Sequence, residues 1–257
     1  MKKLITKRLA PTVEVLKGFR GNTRACIAVE PLWGIPYNLY VPYASLYMLA
    51  LGVSDTEIGS ITAAGLVFQM LFALSGGYLT DKYGRRRTSL VFDIVAWSVP
   101  TLIWAAARNY YFFLLAAVLN ATVRIVQNSW NCLMIEDSPP SQRVHIYTWI
   151  EVANILAGFF APIAGFFVLR FGLVPAVRGL YLFAFLSMTA MFLIRNAWTR
   201  ETAIGLVRME ETRHHSPLDG FREYPEVLRG LAADPLVLTA FALAVLNNVH
   251  VVLRNTF

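Results

Sequence analysis

Residues 77–87 read Gly-Tyr-Leu-Thr-Asp-Lys-Tyr-Gly-Arg-Arg-Arg and lie between two long apolar segments. Asp81 stands where the first of these segments ends, a position at which a lone carboxylate is costly unless a cation neutralises it. Gly84 supplies a tight turn, and the three arginines after it hold the loop on the aqueous side of a membrane and can pair with Asp81. The stretch therefore predicts a charged hairpin between two membrane helices.

The composition of the whole chain also indicates a membrane protein. Of its 257 residues, 56% are hydrophobic and only 15% are charged, and the mean hydropathy is +0.51. A soluble domain carries roughly 25% charged residues. This composition argues against a soluble enzyme, a disordered chain and a nucleic-acid-binding domain.

Six apolar segments are long enough to cross a bilayer, because a membrane helix needs roughly 20 residues. They lack the period-2 alternation of barrel strands, so all six are predicted to be helices. The segments cover residues 26–50, 57–80, 88–107, 110–135, 145–169 and 174–194. The predicted fold is all-α: a tail over 1–25, a six-helix bundle over 26–194, a linker over 195–235 and a seventh helix over 236–257.

The lysines and arginines predict the orientation of the bundle. One alternating set of connections, which includes the tail and the linker with Arg195, carries 18 of them, and the other set carries two. Cytoplasmic loops of membrane proteins collect these residues. We therefore expect a cytoplasmic N-terminus and linker in a multi-pass protein of the plasma or inner membrane. The net charge of +7 then needs no nucleic-acid partner.

No cofactor or metal site is expected. Cys26 and Cys132 lie far apart in or beside apolar runs, and the four histidines have no ligand spacing with cysteines or carboxylates. The chain also shows no nucleophile elbow, P-loop or dinucleotide-binding glycine pattern, so it is not predicted to be an enzyme.

The stretch 77–87 resembles the loop signature of the major facilitator superfamily, G-x-L-x-D-R-x-G-R-[RK], with Lys82 in place of the first arginine. The resemblance implies a secondary transporter of two six-helix halves, joined by a long cytoplasmic loop and working by alternating access. This chain would then hold the first half and the first helix of the second.

The resemblance also implies a network of charges and close contacts that gates the cytoplasmic side. Gly84 would allow close contact with a helix of the second half, and two carboxylates after helix 4 are plausible partners of the arginines. The residues implied for this network are Gly77, Asp81, Gly84, Arg85, Arg86, Glu136 and Asp137.

Helix 4 carries a polar stripe at steps of three and four, which places its members on one helix face. A cation at this depth costs at least about 2.5 kcal/mol, so Arg124 is expected to face a water-filled cavity or a buried partner. A packed polar seam between helices is the alternative. The stripe consists of Asn120, Arg124, Gln127, Asn128 and Asn131.

Residues 124–128 resemble the helix-4 pattern R-x-x-Q-G of proton-coupled family members, with Asn128 in place of the glycine. This resemblance implies a part for Arg124 in proton transfer. Glu30 and Glu151 are further candidates for coupling. Glu151 lies about 9 Å inside its helix, where it could titrate, form an ion pair or extend toward water.

Helix 5 resembles, in degenerate form, the G-x-x-x-G-P-x-x-G motif of family antiporters. Alanines replace the first two glycines, so the resemblance to antiporters is weak. Small residues allow close helix approach, and proline loosens the backbone hydrogen bonding. The predicted packing residues are Gly158, Pro162 and Gly165.

A substrate cavity is predicted from aromatic and amide side chains inside the helices. Core packing and an interfacial aromatic belt are the alternatives for the aromatic residues of helix 1. The candidates are Tyr37, Asn38, Tyr40, Gln69, Asn120, Asn128, Asn131 and Asn154.

Three functions remain open at this level. The first is proton-coupled efflux of a small amphipathic organic compound, and the second is proton-coupled uptake of a nutrient. The third is a half-transporter without activity of its own, which would pair with a separate second half or form a homodimer.

Overall fold

The computed structural model describes residues 18–214, 229–230 and 233–256, the last stretch without the side chains of 248, 249 and 251–256. Most of the predicted tail and residues 215–228 of the predicted linker lie outside the described residues. The described chain divides into one compact unit that ends at Arg213 and a second that contains the seventh helix.

The described residues form helices and no strands. Short 3-10 turns over Val41–Tyr43 and Pro140–Gln142 and a π-helical turn over Ile94–Ser98 interrupt the α-helices. The α-helices are α1 (Gly21–Val29), α2 (Pro31–Tyr40), α3 (Ala44–Ala50), α4 (Asp55–Tyr83), α5 (Arg85–Asp93), α6 (Val99–Ala106), α7 (Tyr110–Asn120), α8 (Val123–Ile135), α9 (Arg143–Gly158), α10 (Ala161–Phe171), α11 (Leu173–Trp198), α12 (Ala203–Glu211) and, in the second unit, α13 (Pro235–Thr256).

Five helical segments of the described chain are long and apolar enough to cross a membrane, which confirms the predicted all-α membrane fold. We number them spans 2 to 6, and α1 to α3 together form span 1. The five segments are Asp55–Tyr83, Arg85–Ala106, Tyr110–Ile135, Pro140–Phe171 and Leu173–Trp198.

Span 1 is not one continuous helix. Pro31 begins α2, and Pro42 lies in the 3-10 turn that ends it. Because proline lacks a backbone N–H and clashes with the preceding turn, a helix breaks or kinks there. None of the three pieces of span 1 therefore reaches spanning length by itself.

The spans pack in a defined order around the inside of the bundle. Span 1 contacts spans 5 and 6, span 2 contacts span 4, and span 3 contacts spans 4 and 6. Small residues let spans 1 and 5 approach closely: a Cβ built on Gly34 would lie 3.1 Å from Cβ of Ala157. A Cβ on Gly165 would lie 3.2 Å from the hydroxyl oxygen of Tyr43, and one on Gly158 would lie 3.9 Å from Oδ1 of Asn38.

Pro162 lies in the first turn of α10, directly after the helix interruption at residues 159–160. Proline is tolerated in the first turn of a helix, because the N–H groups there have no partner within the helix. The side chain is exposed, so Pro162 shapes span 5 and does not contribute to its packing face.

A buried ion pair joins spans 3 and 6. Asp93 is 2% exposed and Arg195 is 3% exposed, and the Arg195 guanidinium donates to the Asp93 carboxylate and to the Ser89 hydroxyl. The prediction that Arg195 belongs to the linker is wrong, because α11 continues past residue 194 to Trp198. Its charge did not end the helix, since Asp93 neutralises it inside the bundle.

We expect Asp93→Leu to lower the free energy of unfolding by about 3–5 kcal/mol, because the substitution removes the ion-pair partner of the buried Arg195 guanidinium. Denaturant unfolding of the purified protein in detergent measures the change. The double variant Asp93→Leu/Arg195→Met should recover much of the loss, since it removes both charges. Equal losses in the single and double variants would contradict a specific pairing.

Candidate functional site

All six spans contribute side chains to one cavity of about 410 Å³ inside the bundle, which we call the central cavity. It brings together six of the predicted residues, which are far apart in the sequence. These are Glu30 and Tyr37 of span 1, Gln69 of span 2, Arg124 of span 4, and Glu151 and Asn154 of span 5.

Arg124 is held in the central cavity by two amides. Its Nε donates to Oε1 of Gln69 at 2.9 Å, and its Nη1 donates to Oε1 of Gln127 at 2.9 Å. The first bond links span 4 to span 2. Neutral amide oxygens fix the guanidinium without cancelling its charge, so the cation stays available to an anionic partner in the cavity.

Five of the described residues that line the central cavity are charged: three carboxylates and two guanidinium groups. Asp93 and Arg195 neutralise each other. Glu30 is 6% exposed and lies in the same lining as this pair, whereas Glu151 is exposed. Two further carboxylates therefore line the cavity that also contains Arg124, and such intramembrane groups mark ion or substrate pathways.

Aromatic rings form one wall of the central cavity. Trp33 stacks on Tyr37 with ring centroids 4.7 Å apart, and Trp97 meets both rings edge-on at 5.0 and 5.9 Å. The prediction from span 1 included Tyr37 but missed Trp97 of span 3. No spacing along one helix relates residues on different spans, so the sequence carried no signal for this contact.

Two polar atoms of the cavity lining have no hydrogen-bond partner. They are Oδ1 of Asn154, an acceptor, and Nε1 of Trp130, a donor, and both are buried. A buried polar atom without a partner costs about 1–3 kcal/mol. A ligand or water that bonds to these atoms would remove that cost, so they are candidate recognition groups.

The structure does not bring five predicted cavity residues to the central cavity. Asn128 donates to the Gly76 carbonyl and to the Thr80 hydroxyl, and therefore forms a seam between spans 2 and 4. The remaining four bond or pack elsewhere: Asn38 donates to Gly34, Asn120 to Ala96 and Asn131 to Gln127, and Tyr40 lines a second cavity. Part of the helix-4 stripe is thus a polar seam, because helix 4 packs on spans 2 and 3 as well as facing the cavity.

A second group of charges lies at the end of the bundle that carries residues 81–87, which we call the basic end. Arg85 is buried, and its Nη1 lies 2.9 Å from Oδ1 of Asp81. Its Nε and Nη2 donate to the carboxylate of Glu136 at 3.0–3.1 Å. Thr202 donates its hydroxyl to the same carboxylate. The Arg85 guanidinium therefore joins span 3 to Asp81 of span 2 and to Glu136 after span 4, and Glu136 in turn bonds to the segment after span 6.

Glu201 is the residue of the basic end that the sequence did not reveal. Its two carboxylate oxygens accept hydrogen bonds of 3.0 Å from the backbone N–H groups of Arg85 and Arg86. The first N–H groups of a helix have no partner within it and attract anions. Glu201 thus caps span 3. Glu201 closely follows the sixth apolar segment in the sequence, and this position is a signal that could have suggested such a contact.

Other predicted gating residues take different places. Arg86 donates its Nε to the Asn196 carbonyl, and Asp137 accepts from the backbone N–H of Ala203. A Cβ on Gly77 would meet nothing within 4 Å, whereas one on Gly76 would lie 3.4 Å from Cα of Ile125. The close approach of spans 2 and 4 therefore occurs at Gly76.

Gly84 contacts the segment after span 6 within the described residues. A Cβ built on it would lie 2.5 Å from Oε2 of Glu201 and 2.8 Å from Sδ of Met209. Its φ of +84° and ψ of 155° belong to a region that is essentially restricted to glycine. Both the backbone and the space around it require glycine here.

The match of residues 33–256 to the family model of the Major Facilitator Superfamily identifies the fold. It covers most of the chain and all but the first part of the six-span bundle. The chain belongs to the Major Facilitator Superfamily. It is a multi-pass membrane protein, and the members of this family act in the lipid bilayer on small substrates.

The sequence identity between this chain and individual members of the family is low. The chain is 28% identical over 155 residues to the uncharacterized MFS-type transporter YqjV of Bacillus subtilis, a match over 56% of this chain and 37% of the relative. It is 25% identical over 123 residues to the quinolone resistance protein NorA of Staphylococcus aureus, which covers 48% of this chain and 31% of NorA. The chain thus covers about a third of the length of these curated relatives.

We expect Gly84→Ala to destabilise the protein by roughly 1–3 kcal/mol, because alanine is strained at this backbone conformation and its methyl group displaces Glu201. Thermal unfolding in detergent measures the effect. Gly179→Ala is the matched control, since a Cβ at that helical glycine meets nothing within 4 Å. Equal melting temperatures for wild type and Gly84→Ala would refute the close contact.

The acid stability of the basic end should depend on Glu136. Burial acts to raise its pKa, but hydrogen bonds from Arg85 and Thr202 outweigh burial and hold the pKa below the ordinary value of 4.5. A lowered folded-state pKa stabilises the protein above the unfolded-state pKa, and this stabilisation is lost as the pH falls through the folded-state value. The melting temperature of wild type should therefore fall more steeply below about pH 4.5 than that of Glu136→Gln. Parallel curves would contradict this role of Glu136.

Proposed function

We propose that this chain acts in secondary transport of a small amphipathic organic molecule by alternating access, driven by protons in the direction of export. The observation that carries the proposal is the central cavity, whose lining combines carboxylates and arginines with stacked aromatic rings. A second six-helix half would close this cavity, as the family fold requires.

The lining of the central cavity supports an amphipathic organic substrate. Trp33, Tyr37 and Trp97 offer a surface for an apolar or aromatic group. Asn154 and Trp130 offer one acceptor and one donor without partners. Apolar walls with a few placed polar groups are typical of small-molecule sites.

Proton coupling is assigned to Glu30 and Glu151, with Arg124 as the charge that modulates them. All three line the central cavity. A carboxylate that binds a proton from one side becomes neutral, which weakens its hold on a cationic or hydrogen-bonded ligand. Release of the ligand and loss of the proton to the other side would complete the exchange.

Export is favoured over uptake by one relative, because the name of NorA records quinolone resistance. The orientation follows from the distribution of lysine and arginine, which supports a cytoplasmic basic end in the plasma membrane. In that orientation the ion pairs and hydrogen bonds of the basic end lie on the cytoplasmic side. We call the group of residues that form them the cytoplasmic latch; it consists of Asp81, Arg85, Glu136 and Glu201. We propose that this latch holds the cytoplasmic side closed in one state of the transport cycle.

The proposal predicts proton-dependent extrusion of an aromatic cation that Glu151→Gln reduces to background. Cells without their own drug exporters, expressing the chain together with any second half encoded beside it, are loaded with ethidium. The rate of loss of ethidium fluorescence is followed before and after a protonophore collapses the gradient. Glu210→Gln is the matched control, since Glu210 is an exposed carboxylate outside the cavity.

Each other outcome changes the proposal in a defined way. Gradient-driven accumulation of a solute in place of extrusion would replace export by uptake. Unchanged extrusion in Glu151→Gln would remove this carboxylate from the coupling mechanism. Extrusion that continues after the gradient collapses would refute proton coupling.

A further inference from the structure

A second cavity of about 240 Å³ lies inside the same bundle and is distinct in chemistry from the central cavity. None of the described residues that line it is charged. Aromatic rings dominate the lining, with aliphatic side chains and a single amide between them: Tyr37, Tyr40, Val41, Ala44, Met48, Ile61, Trp97, Trp104, Phe113, Ala117, Asn120 and Tyr181. We call it the aromatic cavity.

The aromatic rings of this lining contact one another. Tyr181 lies 4.8 Å from the ring of Tyr40 and 5.5 Å from that of Trp104, and Tyr37 meets Tyr40 edge-on at 5.7 Å. Tyr37 and Trp97 line both cavities and so stand between them. These rings pack against one another, and the parts of them that face the cavity can form the same kinds of aromatic contact with a planar ligand.

The hydroxyl of Tyr40 is the unusual feature of the aromatic cavity. Tyr40 is 3% exposed, and its hydroxyl oxygen is buried without any hydrogen-bond partner. The neighbouring buried Tyr47 shows the ordinary situation, since its hydroxyl donates to the Trp104 carbonyl and accepts from Arg178. A buried hydroxyl without a partner costs about 1–3 kcal/mol, so a bound group that forms a hydrogen bond with it would remove that cost.

Most of this lining is apolar. Its polar groups besides the Tyr40 hydroxyl are few, and among them Asn120 donates one hydrogen bond to the Ala96 carbonyl. A dry apolar cavity of roughly 150 Å³ is large enough for benzene. The larger volume here therefore accommodates a ligand of about two fused rings.

We propose that the aromatic cavity is a binding site for an uncharged planar aromatic compound that carries one hydroxyl group, which bonds to Tyr40. The absence of charge follows from the lining, because an ionised group buried there would have no counter-ion among the described residues. The site lies within one six-helix bundle. Its existence does not depend on the transport function proposed above.

The test is equilibrium binding of tritiated 2-naphthol to the purified chain in nanodiscs, measured by scintillation proximity with empty nanodiscs as background. Saturable binding is expected, with competition by unlabelled 2-naphthol, weaker competition by naphthalene and none by 2-naphthoate. Tyr40→Phe removes only the hydroxyl and should weaken 2-naphthol about fivefold, the factor of one ordinary hydrogen bond. Naphthalene should be unaffected.

Two variants separate this site from its surroundings. Tyr43→Phe loses a hydroxyl on the same span outside the aromatic cavity and should bind like wild type, whereas Ala44→Leu fills the cavity and should abolish binding. Gel filtration checks that each variant is folded. The proposal is overturned if naphthalene and 2-naphthol bind equally, if Tyr40→Phe leaves binding unchanged, or if Glu151→Gln in the central cavity abolishes it. Loss of transport in the ethidium assay would leave these binding results unaffected.

Discussion

A charge inside a bilayer must find a partner or water, and this constraint explains where the charged side chains of the bundle lie. Asp93 and Arg195 neutralise each other between spans 3 and 6. Arg124 rests on amides beside a cavity, and Arg178 donates to the Ala107 carbonyl and the Tyr47 hydroxyl. In each case at least one partner lies on another span or a loop, so satisfying the charge also orders the packing of the helices.

The same rule binds the segment after span 6 to the bundle. Glu136 accepts from the Arg85 side chain and Glu201 from its backbone N–H. Thr202 donates to Glu136 and so joins the same set of bonds. The contact is tight because Gly84 has no side chain, so the carboxylate of Glu201 reaches the backbone. The start of the linker is thus part of the bundle, and movement at this end of the molecule must break or carry along this set of bonds.

Two cavities divide the interior by chemistry. The central cavity collects the charges that the helices bring inward, whereas the aromatic cavity contains none among its described lining. Tyr37 and Trp97 belong to both.

The sequence by itself determined the class of fold, because hydropathy and the stretch 77–87 act locally: apolar length decides what spans, and the glycine and arginines decide the hairpin. It also marked Arg124, Glu30 and Glu151, since an ionised group in an apolar segment is unusual wherever it occurs. Only the tertiary structure paired Arg195 with Asp93 and brought Glu201 to span 3. Those contacts join residues about 100 positions apart. The spacing of residues along one helix shows which of them share a face, but it does not show which neighbouring helix that face contacts.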